Sequence, residues 1–452
     1  MYPIISELLA RFNDDLDTQA IVIDEDALQK GVSALRTHLP QGTWLVAADT
    51  NTWEVAGAEL AANLDDAGLS WERYIVEEKP DGTAPMCTDR RIEEFEAALQ
   101  STGAAAGIAV GSGTVNDIVK LASHHQKLPM ACVGTAPSMN GYTSGISAVL
   151  SDGVKTTIPC TAPKVVIADV DVMAEAPYRM ICSGLGDLMS KPVSNADWQL
   201  SAWLNGTYHS AEAMEIIEAG AAMLDGVAPR LPDRDRQAVA GLTASLMLSG
   251  LAMSVAGSSS PASGGEHLIS HFIDMTAIAY DKPHDFHGCQ VGVGTITSGL
   301  LYEKLCALSP EDIDIDARVD DLAPWSDYEK LLKQRFGPLF DAVVKHARPA
   351  YPSPDRLRQR LTQLCDEWET LETHIGRTLR TGDSLENELR QAKCPIRFSE
   401  LGVGHDRARR AIAHSKDIRN RYTILHLGWE LGRLDQWADQ VLVRLATRED
   451  AA

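Results

Sequence analysis

Residues 20–170 repeat one pattern, a short β-branched run followed by an amphipathic helical stretch. IVID (21–24), TWLVAA (43–48), ERYIV (72–76), GIAVG (107–111), MACVG (130–134) and KVVIAD (164–169) read as strands. VAGAELAANLDDAG (55–68) and RRIEEFEAALQSTG (90–103) carry helical spacing between them. Strand and helix in turn imply a mainly parallel sheet covered on both faces. After about residue 176 the strand pattern stops, and one helical pattern follows another to the carboxyl end. A chain of 452 residues is also too long for one ordinary core. The expected architecture is an α/β domain with a Rossmann-like sheet over residues 1–175 and an all-α domain over 176–452. The active site is expected in the cleft between the domains.

Charge narrows the partners. A net charge of −22 opposes nucleic acid and anionic membranes, which need a basic surface. A small anionic substrate remains compatible, because a few cations in a cleft outweigh the distant field. MYPIISELLARFNDDLDTQ has no basic segment followed by an apolar run, so it does not read as a signal peptide. No apolar stretch approaches the roughly 20 residues that cross a bilayer. The nearest, LTASLMLSGLAMSVAG (242–257), is broken by Ser, Thr and Gly and reads as a buried helix. Eight scattered cysteines without a CxxC pair read as reduced thiols of a cytoplasmic protein. PDRLRQRLTQLCDEWETLETHIGRTL and its neighbours read as solvated helical faces. The carboxyl-terminal helices could form a homodimer interface or simply finish the domain.

Two turns follow predicted strands. In AGIAVGSGTVNDIVKLA (106–122), Gly111, Ser112, Gly113 and Thr114 lie where a strand ends and a helix opens. Backbone N–H groups can close on phosphate oxygens there, and the helix terminus favours negative charge. No Gly-Lys-Ser/Thr follows, so this is not a Walker loop, and the usual dinucleotide spacing is absent. VGTAPSMNGYTSG (133–145) presents Thr135, Ser138, Asn140, Tyr142, Thr143 and Ser144 from the next strand end. Ligands of open parallel sheets bind beyond the carboxyl ends of the strands, so the two turns together point to a nucleotide site.

Four histidines crowd GGEHLISHFIDMTAIAYDKPHDFHG (264–288): His267, His271, His284 and His287. His267 and His271 share a helix face at four-residue spacing. His287 precedes a further helix, and Asp187 lies in the glycine-flanked SGLGDLMSKP (183–192). Asp187 alone reads better as an amino-terminal helix cap in a glycine-flanked turn, and HxxxH is often incidental. Together, one carboxylate and two imidazoles can form an open first shell for a divalent ion. Beside a nucleotide loop, and without HExxH, that set points to metal-assisted hydride transfer.

GSGTVND, TAPSMNGYTS, SGLGDLMSKPVSNADW, GGEHLISH and HGCQVGVG, in this order, resemble the sn-glycerol-1-phosphate dehydrogenases. These belong with the dehydroquinate synthase-like and iron-containing alcohol dehydrogenases. The resemblance runs from DTNTWEVAG (49–57) to about residue 300, with an echo at RNRYTILHLGWELGRLD (419–435). It implies that Asp187, His267 and His287 hold one divalent metal, zinc foremost, with nickel or iron as alternatives. It implies that Gly111, Ser112, Gly113, Thr114, Val115, Thr135 and Ser138 bind NAD or NADP, with Ser144 assisting. Asp49 would lie near the adenosine ribose, and His271 would face substrate rather than metal.

One residue departs from that family. Asn140 stands where an aspartate usually contacts substrate; an amide can hydrogen-bond a hydroxyl but cannot act as a base. The expected reaction is hydride exchange between nicotinamide and a small phosphorylated ketone or alcohol, dihydroxyacetone phosphate and sn-glycerol 1-phosphate foremost. His271 is the candidate proton relay. Lys191 and Arg179 are candidate phosphate cations, although either could be a surface residue. Competing readings are a polyol dehydrogenase, a lyase of the dehydroquinate synthase type, and a binding protein without turnover.

Overall fold

A computed structural model describes residues 2–446, apart from 79–84, 152–153 and 377. The main sheet contains β1 (Ala20–Asp24), β2 (Trp44–Ala48), β3 (Trp71–Ile75), β4 (Ala106–Gly111), β5 (Met130–Gly134) and β8 (Val165–Asp169). Each strand starts and ends within one residue of the apolar run that predicts it. β6 (Ile146–Ser151) and β7 (Val154–Pro159) form a separate antiparallel hairpin.

The six strands run parallel in the order β1-β8-β5-β4-β2-β3. Every residue of β2, β4, β5 and β8 is buried. Burial on both faces is why these strands read as unbroken apolar runs instead of alternating ones. Charged Glu72 and Arg73 on β3 keep the outer edge polar, which discourages further pairing. Val46, Ile108, Val133 and Ile167 from the sheet share one core with Leu28, Leu35, Leu60 and Leu64 from flanking helices. From β2 the chain moves out to β3, then returns to β4 and proceeds the other way through β5 to β8. The direction reverses between β2 and β4, where ligands of such sheets bind.

The chain divides into two compact units, Met1–Leu188 with Ala211–Ser259, and Met189–Ser210 with Ser260–Ala452. This differs from a single break at residue 175. The helix Arg236–Ala256 packs on the helices Val170–Glu175 and Tyr178–Leu188 and on β1, so it belongs with the sheet. Its apolar residues surround the whole helix, and such a helix needs cover on every side. It is the one helix among the described residues long and apolar enough to cross a membrane, and 89% of its apolar window is buried.

Candidate active site

In the first unit, β4 and β5 pair with Gly111 opposite Gly134, so the two predicted turns leave the sheet side by side. Ser112 occupies the N-cap of the helix Gly113–His125, but its side chain makes no capping bond. Its hydroxyl bonds that of Ser138 instead. The N–H groups of Gly113, Thr114 and Val115 thus form a helix amino terminus without a side-chain cap. Such a terminus favours phosphate through its free donors and its dipole. Ala48 pairs with Val110, which starts Asp49 beside this turn. Asp49 Oδ1 accepts Thr52 N–H at 2.8 Å, and Thr52 Oγ1 accepts Asp49 N–H at 3.0 Å. The other carboxylate oxygen stays outside that capping box.

The second turn is held from several sides. Thr135 N–H donates to the Gly111 carbonyl at 3.3 Å. Lys120, fully buried, donates to the carbonyls of Gly141 at 2.7 Å and Ile146 at 3.0 Å. Ser183 Oγ donates to the Ser138 carbonyl at 2.9 Å. Thr143 Oγ1 donates to the Met247 carbonyl at 2.6 Å. Two helices reach the turn through glycines: a Cβ on Gly184 would lie 1.8 Å from the Pro137 oxygen, and one on Gly250 2.1 Å from Thr143 Oγ1. Ser144 is fully buried and donates to the Gly141 carbonyl at 3.0 Å, so its hydroxyl serves the turn itself. Burial pushes the Tyr142 phenol above its ordinary range, and the hydroxyl donates to the Ala136 carbonyl at 2.7 Å.

Asp187 lies in the last turn of the helix Tyr178–Leu188, which corrects the reading of it as an amino-terminal cap in a glycine turn. It is 1% exposed, and its Oδ2 accepts Asn140 N–H at 2.9 Å. Asn140 is 9% exposed, and its Nδ2 makes no hydrogen bond.

In the second unit, His267 occupies the first turn of the helix Gly265–Tyr280, with Nδ1 2.9 Å from Glu266 Oε1. The same oxygen accepts Gly264 N–H at 2.7 Å. His287 opens the helix His287–Cys306; its Nδ1 lies 3.0 Å from Ser270 Oγ and 3.9 Å from Asp274 Oδ2. Gln290 Nε2 donates to Asp274 Oδ1 at 2.6 Å. Both imidazoles have Nδ1 engaged by a neighbouring side chain, as metal-ligating histidines ordinarily have one ring nitrogen engaged.

Asp187, His267 and His287 each offer one ligand atom, and these atoms lie within 4.8 Å of one another. One carboxylate with two imidazoles held by neighbouring side chains fits a divalent ion with open positions. His271 stacks on His287 with ring centroids 5.4 Å apart and stands 6.0 Å from the ring of His267. His284 is exposed and outside this group. Lys191 is buried at the start of the helix Lys191–Asn205, 3.3 Å from Ser190 Oγ. Arg179 lies near the start of the Asp187 helix.

Several positioning residues escaped sequence reasoning. Glu266 and Ser270 lie within the histidine-rich helix but look like ordinary helix residues. Lys120 left a trace, a lysine among the buried Val115, Ile118 and Val119.

Fold and site define a class. Residues 22–177 match the family described as iron-containing alcohol dehydrogenase. The fold resembles the crystal structure of glycerol dehydrogenase from Schizosaccharomyces pombe, with a TM-score of 0.61 and 17% identity over 94% of this chain and 91% of that one. It also resembles a probable glycerol dehydrogenase from Sinorhizobium meliloti 1021, with a TM-score of 0.62 and 14% identity over 95% and 98%. Sequence relatives are narrower. A protein of Bacillus subtilis strain 168 named glycerol-1-phosphate dehydrogenase (NAD(P)+) is 31% identical over 412 residues, 91% of each chain. One of that name from Methanococcoides burtonii is 36% identical, over 57% of this chain and 69% of the relative. The chain belongs to the glycerol-1-phosphate dehydrogenase family.

Proposed function

We propose that this chain exchanges hydride between NAD(P)H and a small phosphorylated ketone, dihydroxyacetone phosphate, giving sn-glycerol 1-phosphate. The clustering of Asp187, His267 and His287 carries the reading, and the names of the relatives supply the substrate. When bound, the cation supplies Lewis-acid polarisation of the carbonyl and the nicotinamide supplies the hydride. Asp187, held by the Asn140 N–H, and the two imidazoles, held by Glu266 and Ser270, would keep the metal in place. The turn at Gly111–Thr114 would take the dinucleotide phosphates, and Asp49 the ribose. In reduction the ketone carbon gains hydride and its oxygen a proton. His271, stacked on His287, is suited to hold that proton. The Asn140 amide would orient a substrate hydroxyl without acting as base. The eight cysteines are scattered, with no CxxC pair, which suits a reducing compartment, and the cytoplasm is the proposed location.

The test is NAD(P)H oxidation by zinc-loaded protein with dihydroxyacetone phosphate, set against unphosphorylated dihydroxyacetone. Turnover that needs the phosphate and vanishes with chelator is expected. Equal turnover of both ketones would move the reading to a polyol dehydrogenase.

A further inference from the structure

The second unit contains a cavity of about 270 Å³ whose walls include Trp198, Asn205, Tyr208, Arg356, Arg360 and Arg421. Among the described residues no Asp or Glu lines it, although the chain as a whole carries a net charge of −22. The arginines are arranged by their neighbours. Asn205 Oδ1 accepts Arg356 Nη2 at 3.2 Å and Arg360 Nη1 at 2.9 Å, so one amide oxygen sets two guanidinium groups together. Arg360 lies over the Tyr422 ring, 5.0 Å from its centroid, and pairs with Glu430. Arg421 donates to the Ser263 carbonyl. Trp198 Nε1 donates to the Tyr208 carbonyl at 2.7 Å, which fixes the aromatic wall.

Two donors here are buried and make no hydrogen bond: Arg360 Nε and Asn205 Nδ2. Buried donors are ordinarily satisfied, and an exception calls for a partner. Three guanidinium groups and spare N–H donors, with no carboxylate in the lining, suit a compact, acceptor-rich anion. Guanidinium forks match phosphate oxygens in geometry as well as charge. Glu430, outside the lining, pairs with Arg360. We propose that this pocket binds the phosphate group of a small phosphorylated molecule. That phosphate belongs either to the reacting substrate or to a separate ligand.

The test titrates the full-length protein with inorganic phosphate by calorimetry, alongside Arg356→Ala and Asn205→Asp. Arg356 is exposed on its helix, so its truncation spares the core. Asn205→Asp keeps an acceptor for both arginines but sets a negative charge against the ligand. One phosphate per chain is expected, bound about tenfold or more weakly by each variant, a loss of about 1.4 kcal/mol. Melting curves confirm that both variants fold. Wild-type turnover then separates the sources. Competition between inorganic phosphate and dihydroxyacetone phosphate assigns the pocket to the substrate's own phosphate, whereas phosphate binding without competition assigns it to a separate ligand. Equal phosphate affinity in wild type and both folded variants, or no binding by folded wild type, overturns the proposal. Calorimetry needs no turnover, so this result is independent of the proposed reaction.

Discussion

His267 and His287 take their orientation from residues beside them. Glu266 holds one Nδ1 and Ser270 the other, so removing either partner should loosen a ligand without deleting it. Glu266→Gln is expected to weaken metal affinity about 10–100-fold, read by chelator competition with the melting curve as control for folding. Unchanged affinity would remove Glu266 from the site. Asn140 poses the converse case. It is 9% exposed, and its N–H already serves Asp187. A carboxylate there would add a second buried negative charge near the first. Asn140→Asp should therefore destabilise chelator-treated protein by about 1–3 kcal/mol, with the loss recovered on adding zinc. Urea melts with and without the metal measure both values. The candidate histidine ligands stand out in the sequence because histidine is scarce and clustered here. Their supports do not, since Glu and Ser on a helix carry no mark of what they face.

At the scale of elements, the second turn depends on helices that come close to it. A Cβ at Gly184 would meet the Pro137 oxygen at 1.8 Å, and a backbone atom cannot swing aside as a side chain can. Gly184→Ala is expected to cost roughly 1–3 kcal/mol or more by overpacking and to weaken dinucleotide binding. Thermal unfolding and an NADH fluorescence titration check the two effects; intact NADH affinity would mean the turn does not bind it. The same residue explains a misreading. Gly184 and Gly186 precede Asp187 in a pattern typical of a turn, whereas both lie inside a helix, where Gly184 permits close approach. β2, β4, β5 and β8 were legible because burial on both faces writes a continuous apolar run, and β1 and β3 through their β-branched and aromatic residues. The β6–β7 hairpin was not, because ISAVLS and VKTTIP are too polar to match that pattern. The Asp152-Gly153 dipeptide between them is the hairpin signal that was available.

Across the whole molecule, one buried carboxylate ties distant stretches of the second unit. Asp197 accepts Tyr302 OH at 2.6 Å, Gly265 N–H at 2.7 Å and Ile424 N–H at 2.6 Å. Burial, helped by the charge of Glu266, pushes its carboxyl up to about 7. A folded-state value above the unfolded one means that the folded protein holds the proton longer as pH rises. The Asp197 contribution is therefore full below about pH 4 and declines as pH rises to about 7. The stability of wild type minus that of Asp197→Asn, from urea melts, should shrink across that window; a constant difference would deny the shift. The domain break was illegible for a related reason: an all-apolar helix announces that it is buried, but not against what. The chain visits the first unit, then the second, then each again. A ribosome emits it from the amino end, so the sheet-bearing unit lacks its last helix until residue 256 has emerged. Residues 189–210 meanwhile await partners that begin only at residue 260. Neither unit is therefore a cassette that one crossover in a gene could carry whole into another protein.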